Sequence, residues 1–181
     1  AAASTEIVEG RERLFLESTR FDRRGRAGRI GCLSFASLEA EWIGSPSVWA
    51  NSAKALYEKR RISTEDSRKI RVLDAFGAWI ANSDRHYGNL SFYYELGDSR
   101  ARLAPVYDML PMFFAPKENE ETPYVRRWST PKPTPETLSV WEEARAAAVS
   151  FWKKVAGDRR ISMDFHGIAK TMEREISGNS D

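Results

Sequence analysis

Residues 80–90 read IANSDRHYGNL, and residues 105–109 read PVYDM. Between these runs, residues 90–95 and 101–106 have the composition of two strands, and the Gly97–Ser99 segment between them is typical of a turn. The sequence therefore predicts an antiparallel hairpin that follows a polar loop. Such a hairpin would bring Asp108 back beside the loop, so that carboxylate and amide oxygens form one cluster.

The residue types in this cluster suit phosphoryl transfer from ATP. That reaction needs a carboxylate to orient and deprotonate the attacking hydroxyl, and it needs oxygen ligands for Mg²⁺. Asp84, Asn89, the hairpin and Asp108 follow one another in the order that kinases use. Taken singly, Asp84 and Asn89 also suit turns and caps, and His86 suits a packed or surface position. The combination and its spacing favour the catalytic interpretation.

Helical periodicity predicts a mainly α fold with this one small antiparallel hairpin. Two helices are expected before the loop, and the acidic residues behind Ser63 predict the start of a third, buried one. Gly77 inside that third helix suggests close packing. A further helix is predicted to begin at Thr134-Pro135-Glu136, with Pro135 at its first position. The predicted helical segments lie near 35–42, 49–56, 63–82, 134–156 and 161–176.

Composition narrows the functional classes. The 181 residues suit one compact domain or lobe, and the net charge of +2 gives no global argument for nucleic-acid binding. Cys32 is the single cysteine, which excludes an internal disulfide and fits a reducing, cytoplasmic location. No apolar stretch approaches the roughly 20 residues that span a membrane, and the first residues do not resemble a signal peptide.

Five short runs of sequence resemble the HipA family of bacterial serine/threonine kinases, which are toxins of toxin–antitoxin pairs. The pattern Asp-x-His-x-x-Asn spans 84–89, and a hairpin then leads to the run PVYDMLP at 105–111. The segments RFDR at 20–23, RIG at 29–31 and SF at 34–35 resemble the hinge of that family and the start of its helical lobe. The similarity extends from about Leu14 to Pro111 and, more vaguely, through the C-terminal helices.

The resemblance implies a protein-kinase-like C-terminal lobe that uses Mg²⁺ and ATP. Asp84 would be the catalytic base, with His86 beside it near the phosphates or ribose, and Asn89 and Asp108 would bind Mg²⁺. The hinge residues expected to line adenine and ribose are Thr19, Arg20, Phe21 and Asp22. His86 is counted with them as a nucleotide-binding residue because of its expected place near the phosphates or ribose.

The same resemblance sets expectations for domains. Residues 1–22 would be the end of an N-terminal lobe and the hinge, and residues 23–181 the helical lobe. The family's glycine-rich loop and strand lysine should lie before the hinge, but the first lysine here is Lys54. We therefore expect a piece of a longer protein, or a lobe completed by a partner, that is inactive alone.

Function and partners follow as expectations. The complete protein would transfer the γ-phosphate of ATP to a protein hydroxyl, as the toxin of a toxin–antitoxin system. We expect an acceptor protein and an antitoxin as partners. We do not expect the protein to bind a membrane or to contact nucleic acid directly. Residues 117–135 are predicted to form a mobile loop that touches the acceptor. The sequence does not identify the acceptor.

Two other functions stay open. The pattern Asp-Arg-His-x-x-Asn also suits a phosphatidylinositol-type or small-molecule kinase, although there the metal-binding aspartate usually precedes Phe-Gly and here Asp108 precedes Met109. The other alternative is a non-catalytic lobe that binds a partner or DNA. The arginine-rich stretch 20–29 is its local support, and a solvated basic loop is the simpler interpretation of that stretch.

The missing phosphate loop generates a first prediction. The 181-residue chain alone should bind Mg²⁺-ATP poorly, because the hinge side can contact adenine but the loop that surrounds the phosphates is absent. Isothermal titration calorimetry of the isolated chain with Mg²⁺-ATP measures this affinity. Micromolar binding would show that the nucleotide site has been placed wrongly.

Overall fold

The computed structural model describes residues 4–11, 13–45, 47–115 and 128–178. The chain is mostly helical with small antiparallel sheets. The helices are α1 (Phe35–Trp42), α2 (Trp49–Glu58), α3 (Thr64–Trp79), α4 (Trp141–Gly157) and α5 (Met163–Ser177). The strands are β1 (Thr5–Glu9), β2 (Leu14–Ser18), β3 (Arg23–Arg24), β4 (Gly28–Arg29), β5 (Cys32–Ser34), β6 (Ser91–Tyr93) and β7 (Arg102–Leu103).

The chain divides into two compact units. The first unit consists of residues 1–47, 52–67 and 86–108, and the second consists of residues 48–51, 68–85 and 109–181.

The first unit contains the three sheets found among the described residues. Strands β1 and β2 form one antiparallel hairpin, β3 and β4 form a very short second one, and the third sheet has the order β5-β6-β7. The predicted hairpin is confirmed in β6 and β7, which are shorter than expected, and β5 adds a third strand. Backbone pairing continues beyond β5, since the N–H of Phe35 donates to the carbonyl of Leu90 at 2.9 Å. Phe35 and Phe92 are fully buried here.

The second unit is built around an aromatic core. The end of α3, the short 3₁₀ turn Met112–Phe114 and helices α4 and α5 contribute to it. Trp152 of α4 is completely buried and lies against Phe114 and Phe165, with ring centroids 6.0 and 6.3 Å away. Small residues on the facing surfaces, Ala144, Ala148 and Ala169, let the helices approach closely.

Serine side chains cap three of the described helices, and the sequence predicted the one at Ser63. The side chains of Ser34 and Ser162 cap α1 and α5, and Ser63 Oγ accepts from the backbone N–H of Asp66 at the start of α3. None of the described helices is long and apolar enough to cross a membrane.

The predicted helix start at Thr134 is wrong. Thr134 and Thr137 instead form a turn, in which the backbone N–H of Thr134 donates to the Thr137 hydroxyl at 2.9 Å. A 3₁₀ turn at Leu138–Val140 follows, and α4 begins only at Trp141. This arrangement buries Val140 and Trp141 while Leu138 stays exposed. Of the predicted mobile loop, residues 117–127 lie outside the described residues.

The core generates a second prediction. Trp152→Ala should destabilise the protein by about 3–5 kcal/mol, the usual cost of emptying a buried aromatic site. Trp152→Phe should cost much less, because the indole Nε1 of Trp152 has no hydrogen-bond partner among the described residues. Urea unfolding of both variants checks this, with Leu138→Ala as the exposed control. Equal losses for the two variants at Trp152 would contradict it.

Candidate active site

Three predicted site residues, His86, Asn89 and Asp108, belong to the first unit. Asn89 ends the 3₁₀ turn Tyr87–Asn89 and is 4% exposed, so its amide is held inside the protein. Asp108 is exposed and follows the returning strand β7, with a backbone φ of +57°. That left-handed conformation is uncommon for a residue with a side chain, and such positions concentrate at functional sites.

Tyr107 links the polar loop to the segment that carries Asp108. Its hydroxyl donates to the carbonyl of Gly88 at 2.7 Å. The Tyr107 and Ser91 hydroxyls are 2.8 Å apart, and Ser91 is the donor because Tyr107 has only one proton to give. The residue before Asn89 is thereby bonded to the residue before Asp108. The structure thus joins the two predicted metal ligands through their chain neighbours.

Tyr87 fixes the 3₁₀ turn from its other side. Its hydroxyl donates to the carbonyl of Ser47 at 2.6 Å and accepts from the backbone N–H of Ser47 at 2.9 Å. It also lies 2.8 Å from the Ser52 hydroxyl, and its ring packs edge-on against Phe35 with centroids 4.9 Å apart. The turn that carries Asn89 is therefore anchored by both hydrogen bonds and packing.

His86 has a local structural role. Its Nδ1 accepts the backbone N–H of Gly88 at 2.9 Å and caps the 3₁₀ turn. In the neutral ring the proton therefore resides on Nε2. A Cβ at position 88 would lie 2.8 Å from the imidazole, so this close contact requires glycine. The catalytic and nucleotide-binding roles of His86 stay predictions.

The four hinge residues also lie in the first unit. The backbone N–H of Thr19 donates to the carbonyl of Ser4 at 3.0 Å and so belongs to the β1–β2 hairpin. Arg20 donates to both carboxylate oxygens of Asp22, at 2.8 and 2.6 Å, and these hydrogen bonds lower the pKa of Asp22. The predicted ribose contact of Asp22 would have to share that carboxylate with Arg20.

Phe21 connects the hinge to the β-sheet. Its ring stacks on Tyr107 with centroids 5.7 Å apart and meets Tyr93 edge-on at 6.0 Å. Its carbonyl accepts from the Tyr93 hydroxyl at 3.3 Å. Phe21 therefore has a packing role in the first unit, in addition to its predicted role in nucleotide binding.

The predicted base, Asp84, belongs to the second unit. It is exposed, and its backbone N–H donates to Oδ1 of Asn82 at 2.9 Å. Asn82 is 1% exposed and its Nδ2 lies 3.8 Å from the sulfur of Met109. The buried Asn82 side chain therefore orients the backbone that presents Asp84.

Arg85 braces the same loop against α3. Its Nε donates to Asp74 Oδ1 at 3.3 Å, and its guanidinium donates to the carbonyl of Asn82. The other oxygen of Asp74 accepts from the backbone N–H of Ala50 at 3.0 Å. A Cβ at Gly77 would lie 2.4 Å from Arg85 Cδ, so the glycine gives the arginine its path across the helix. This is the close packing that the sequence suggested for Gly77.

The oxygen atoms of Asn89 and Asp108 are suitable ligands for a Mg²⁺ ion that is bound together with a nucleotide. Among the described residues, no group of three or more His, Cys, Asp or Glu side chains could hold a metal ion. Mg²⁺ bound with phosphates usually takes only one or two carboxylates from the protein and completes its shell with phosphate and water oxygens. Asp108 and Asn89 would supply a carboxylate and an amide oxygen.

Sequence reasoning found the loop and the hairpin but missed Tyr107, Asn82 and Arg85 as supporting residues. Tyr107 lies inside the quoted run PVYDM, directly before Asp108, which is the signal that could have drawn attention to it. Arg85 bonds Asp74 of α3, and the Asn82 side chain contacts Asp84 and Met109; none of these contacts had a comparable sequence signal.

Comparisons with known proteins agree with this architecture. The family model described as the HipA-like C-terminal domain matches residues 1–176. Toxin YjjJ of Escherichia coli strain K12 is 38% identical over 183 residues, covering 97% of this chain and 39% of YjjJ. A chain of the Shewanella oneidensis MR-1 complex of HipA, HipB and operator DNA has a TM-score of 0.60 at 15% identity. That match covers 97% of this chain and 50% of the other, and it shows a shared fold.

The Gly77–Arg85 contact generates a third prediction. Gly77→Ala should raise helix propensity by about 1 kcal/mol, but in the parent protein the new methyl group must displace Arg85 from Asp74. In an Arg85→Ala background the conflict disappears, so the same substitution should stabilise the protein there by about 1 kcal/mol. Chemical unfolding of the four proteins forms a double-mutant cycle that isolates this difference. Purely additive effects would show that the two residues do not interact.

Proposed function

This chain belongs to the HipA-like C-terminal domain family, and we propose that it forms the C-terminal lobe of a kinase that transfers the γ-phosphate of ATP to a protein hydroxyl. The chain spans 39% of the length of YjjJ, so the proposed activity is that of the longer protein that carries it. Membership in a family of toxins also supports a toxin role in a toxin–antitoxin pair.

One observation carries the proposal: the first unit presents a buried amide and an exposed carboxylate on two segments that are tied together. Asn89 is buried on its 3₁₀ turn, Asp108 has a left-handed backbone, and the hydroxyl of Tyr107 bonds the first segment to the second. An amide oxygen and a carboxylate oxygen are suitable ligands for Mg²⁺ bound to ATP. When bound, Mg²⁺ would neutralise charge that develops on the transferred phosphoryl group.

Asp84 would act as the general base. Its carboxylate is exposed, and its backbone is held by the buried Asn82. Exposure gives an acceptor hydroxyl access, and a fixed backbone lowers the entropy lost when the hydroxyl is oriented. Asp22 and the backbone around Phe21 would contact ribose and adenine, with Arg20 holding the Asp22 carboxylate in place.

The proposed partners are an acceptor protein and an antitoxin. The structural neighbour belongs to a complex with HipB and operator DNA. The expectation that nucleic acid is not a direct partner is therefore not borne out. In the first unit, the exposed side chains of Arg24, Arg26 and Arg29 on the β3–β4 hairpin could supply positive charge for such a contact.

The base assignment generates a fourth prediction. Asp84→Asn in the longer protein should lower phosphate transfer by about 10²–10⁴-fold, because an amide cannot accept the proton. Folding should be almost unchanged, since the bond between Asp84 and Asn82 uses the backbone N–H. Thermal unfolding and transfer of radiolabelled phosphate to protein acceptors, measured on the same sample, check both parts.

Asp108→Asn is the contrasting variant. It should also reduce transfer, but raised Mg²⁺ should restore part of its activity because the loss lies in cation binding. A stable Asp84→Asn protein that keeps more than a tenth of the parent activity would remove Asp84 from the base role and favour His86 instead. Transfer to a lipid or small-molecule acceptor, with none to protein, would favour the other kinase classes.

A further inference from the structure

Tyr107 contacts both the hinge and the metal-ligand segments of the first unit. Its ring stacks on Phe21 at 5.7 Å with an interplanar angle of 29°. Its hydroxyl bonds Gly88 and Ser91, on either side of Asn89 and Leu90. Its own main chain continues directly into Asp108. One side chain therefore connects three segments to which the proposed function assigns separate tasks.

The hydroxyl is well suited to hold the amide of Asn89 in place. It donates to Gly88 and accepts from Ser91, so both neighbours of the Asn89–Leu90 pair are bonded to the same oxygen. Leu90 is 1% exposed and its carbonyl is bonded to the N–H of Phe35, which limits movement on the sheet side. On the loop side, the bond from Tyr107 to Gly88 restrains the backbone immediately before Asn89.

The aromatic ring of Tyr107 also contacts the hinge, through Phe21. Phe21 lies between Tyr107 and Tyr93, stacked on one and edge-on to the other. Aromatic pairs in these geometries attract each other beyond the effect of the area that they bury. A ligand that orders the hinge backbone around Phe21 would therefore also stabilise one position of the Tyr107 ring.

We propose that Tyr107 is a positioning residue that couples occupancy of the hinge to cation binding by Asn89 and Asp108. This inference rests on the proposed function, because it takes the hinge as the nucleotide side and the two oxygen donors as the cation side. Coupling of two sites is reciprocal, so nucleotide should tighten cation binding by the same factor as cation tightens nucleotide binding.

The test uses Mn²⁺ in place of Mg²⁺, because bound and free Mn²⁺ are distinguished by electron paramagnetic resonance. Mn²⁺ is titrated into the longer protein that carries this chain, with and without a non-hydrolysable ATP analogue. Tyr107→Phe keeps the ring and removes the hydroxyl, and it should weaken Mn²⁺ binding in the presence of the analogue by about fivefold, the usual worth of one hydrogen bond. Backbone amide exchange of residues 88–90 should become faster.

Two further variants make the comparison specific. Phe21→Leu removes the stacked ring, and it should reduce the effect of the ATP analogue on Mn²⁺ affinity while Tyr107 keeps its hydroxyl. Tyr94→Phe is the matched control, because it removes a hydroxyl next to β6 from a ring that packs against Trp42. It should leave both Mn²⁺ affinity and amide exchange unchanged. Circular dichroism establishes that each variant is folded.

The outcomes separate this inference from the proposed function. Parental Mn²⁺ affinity in Tyr107→Phe, with unchanged exchange at residues 88–90, overturns the positioning role. A parent protein that binds Mn²⁺ with the analogue but phosphorylates nothing counts against the proposed function, and the comparison of variants still decides the role of Tyr107. A parent that binds no Mn²⁺ with or without the analogue overturns both.

Discussion

The buried amide of Asn82 has to complete its hydrogen bonds inside the protein, because almost none of its surface reaches water. Its Oδ1 accepts from Asp84, and its backbone N–H donates to Gly77 at 2.8 Å. Together with the left-handed backbone of Ala81, these bonds determine where α3 ends and how the chain leaves it. The orientation of the Asp84 backbone therefore depends on the packing of Asn82 in the second unit. A polar loop needs such a support if its carboxylate is to act in one defined position.

The sequence predicted those elements whose signals are local. Apolar periodicity located α1, α2, α3 and α5, because an amphipathic helix carries its own pattern, and Ser63 also indicated the start of α3. Strand β5 was missed because three residues carry too little pattern and its pairing with β6 is about 60 positions away. The start of α4 was misplaced for a different reason. Thr134 and Pro135 have the composition of a helix start, but the two threonine hydroxyls satisfy a turn instead.

The candidate site is a prediction from residue types and their spacing. The spacing of Asp84, Asn89 and Asp108 around a hairpin drew attention to the loop, and the hairpin is present. The spacing of these residues does not reveal which contacts hold the loop in place. The bonds of Arg85 to Asp74 and of Tyr107 to Gly88 join residues that are 11 and 19 positions apart. The prediction assigned His86 to catalysis and nucleotide binding, and it did not include the capping bond of this residue. These supporting contacts depend on tertiary packing, so only the three-dimensional structure shows them.

The small number of carboxylates in the proposed cation site has a mechanistic consequence. With Asp108 and the amide of Asn89 as its protein ligands, Mg²⁺ would gain most of its coordination from phosphate and water oxygens. Its affinity for the protein without nucleotide would then be low, so cation and nucleotide would arrive and leave together. Under this arrangement the protein has little need of a preformed charged cage, which agrees with the exposure of Asp108. It does need Asn89 and Asp108 at a fixed separation, since two ligands cannot compensate for each other's displacement. The bonds of Tyr87 and Tyr107 around the 3₁₀ turn supply that rigidity with neutral groups, which leave the charge of the site to Asp108 and the bound nucleotide.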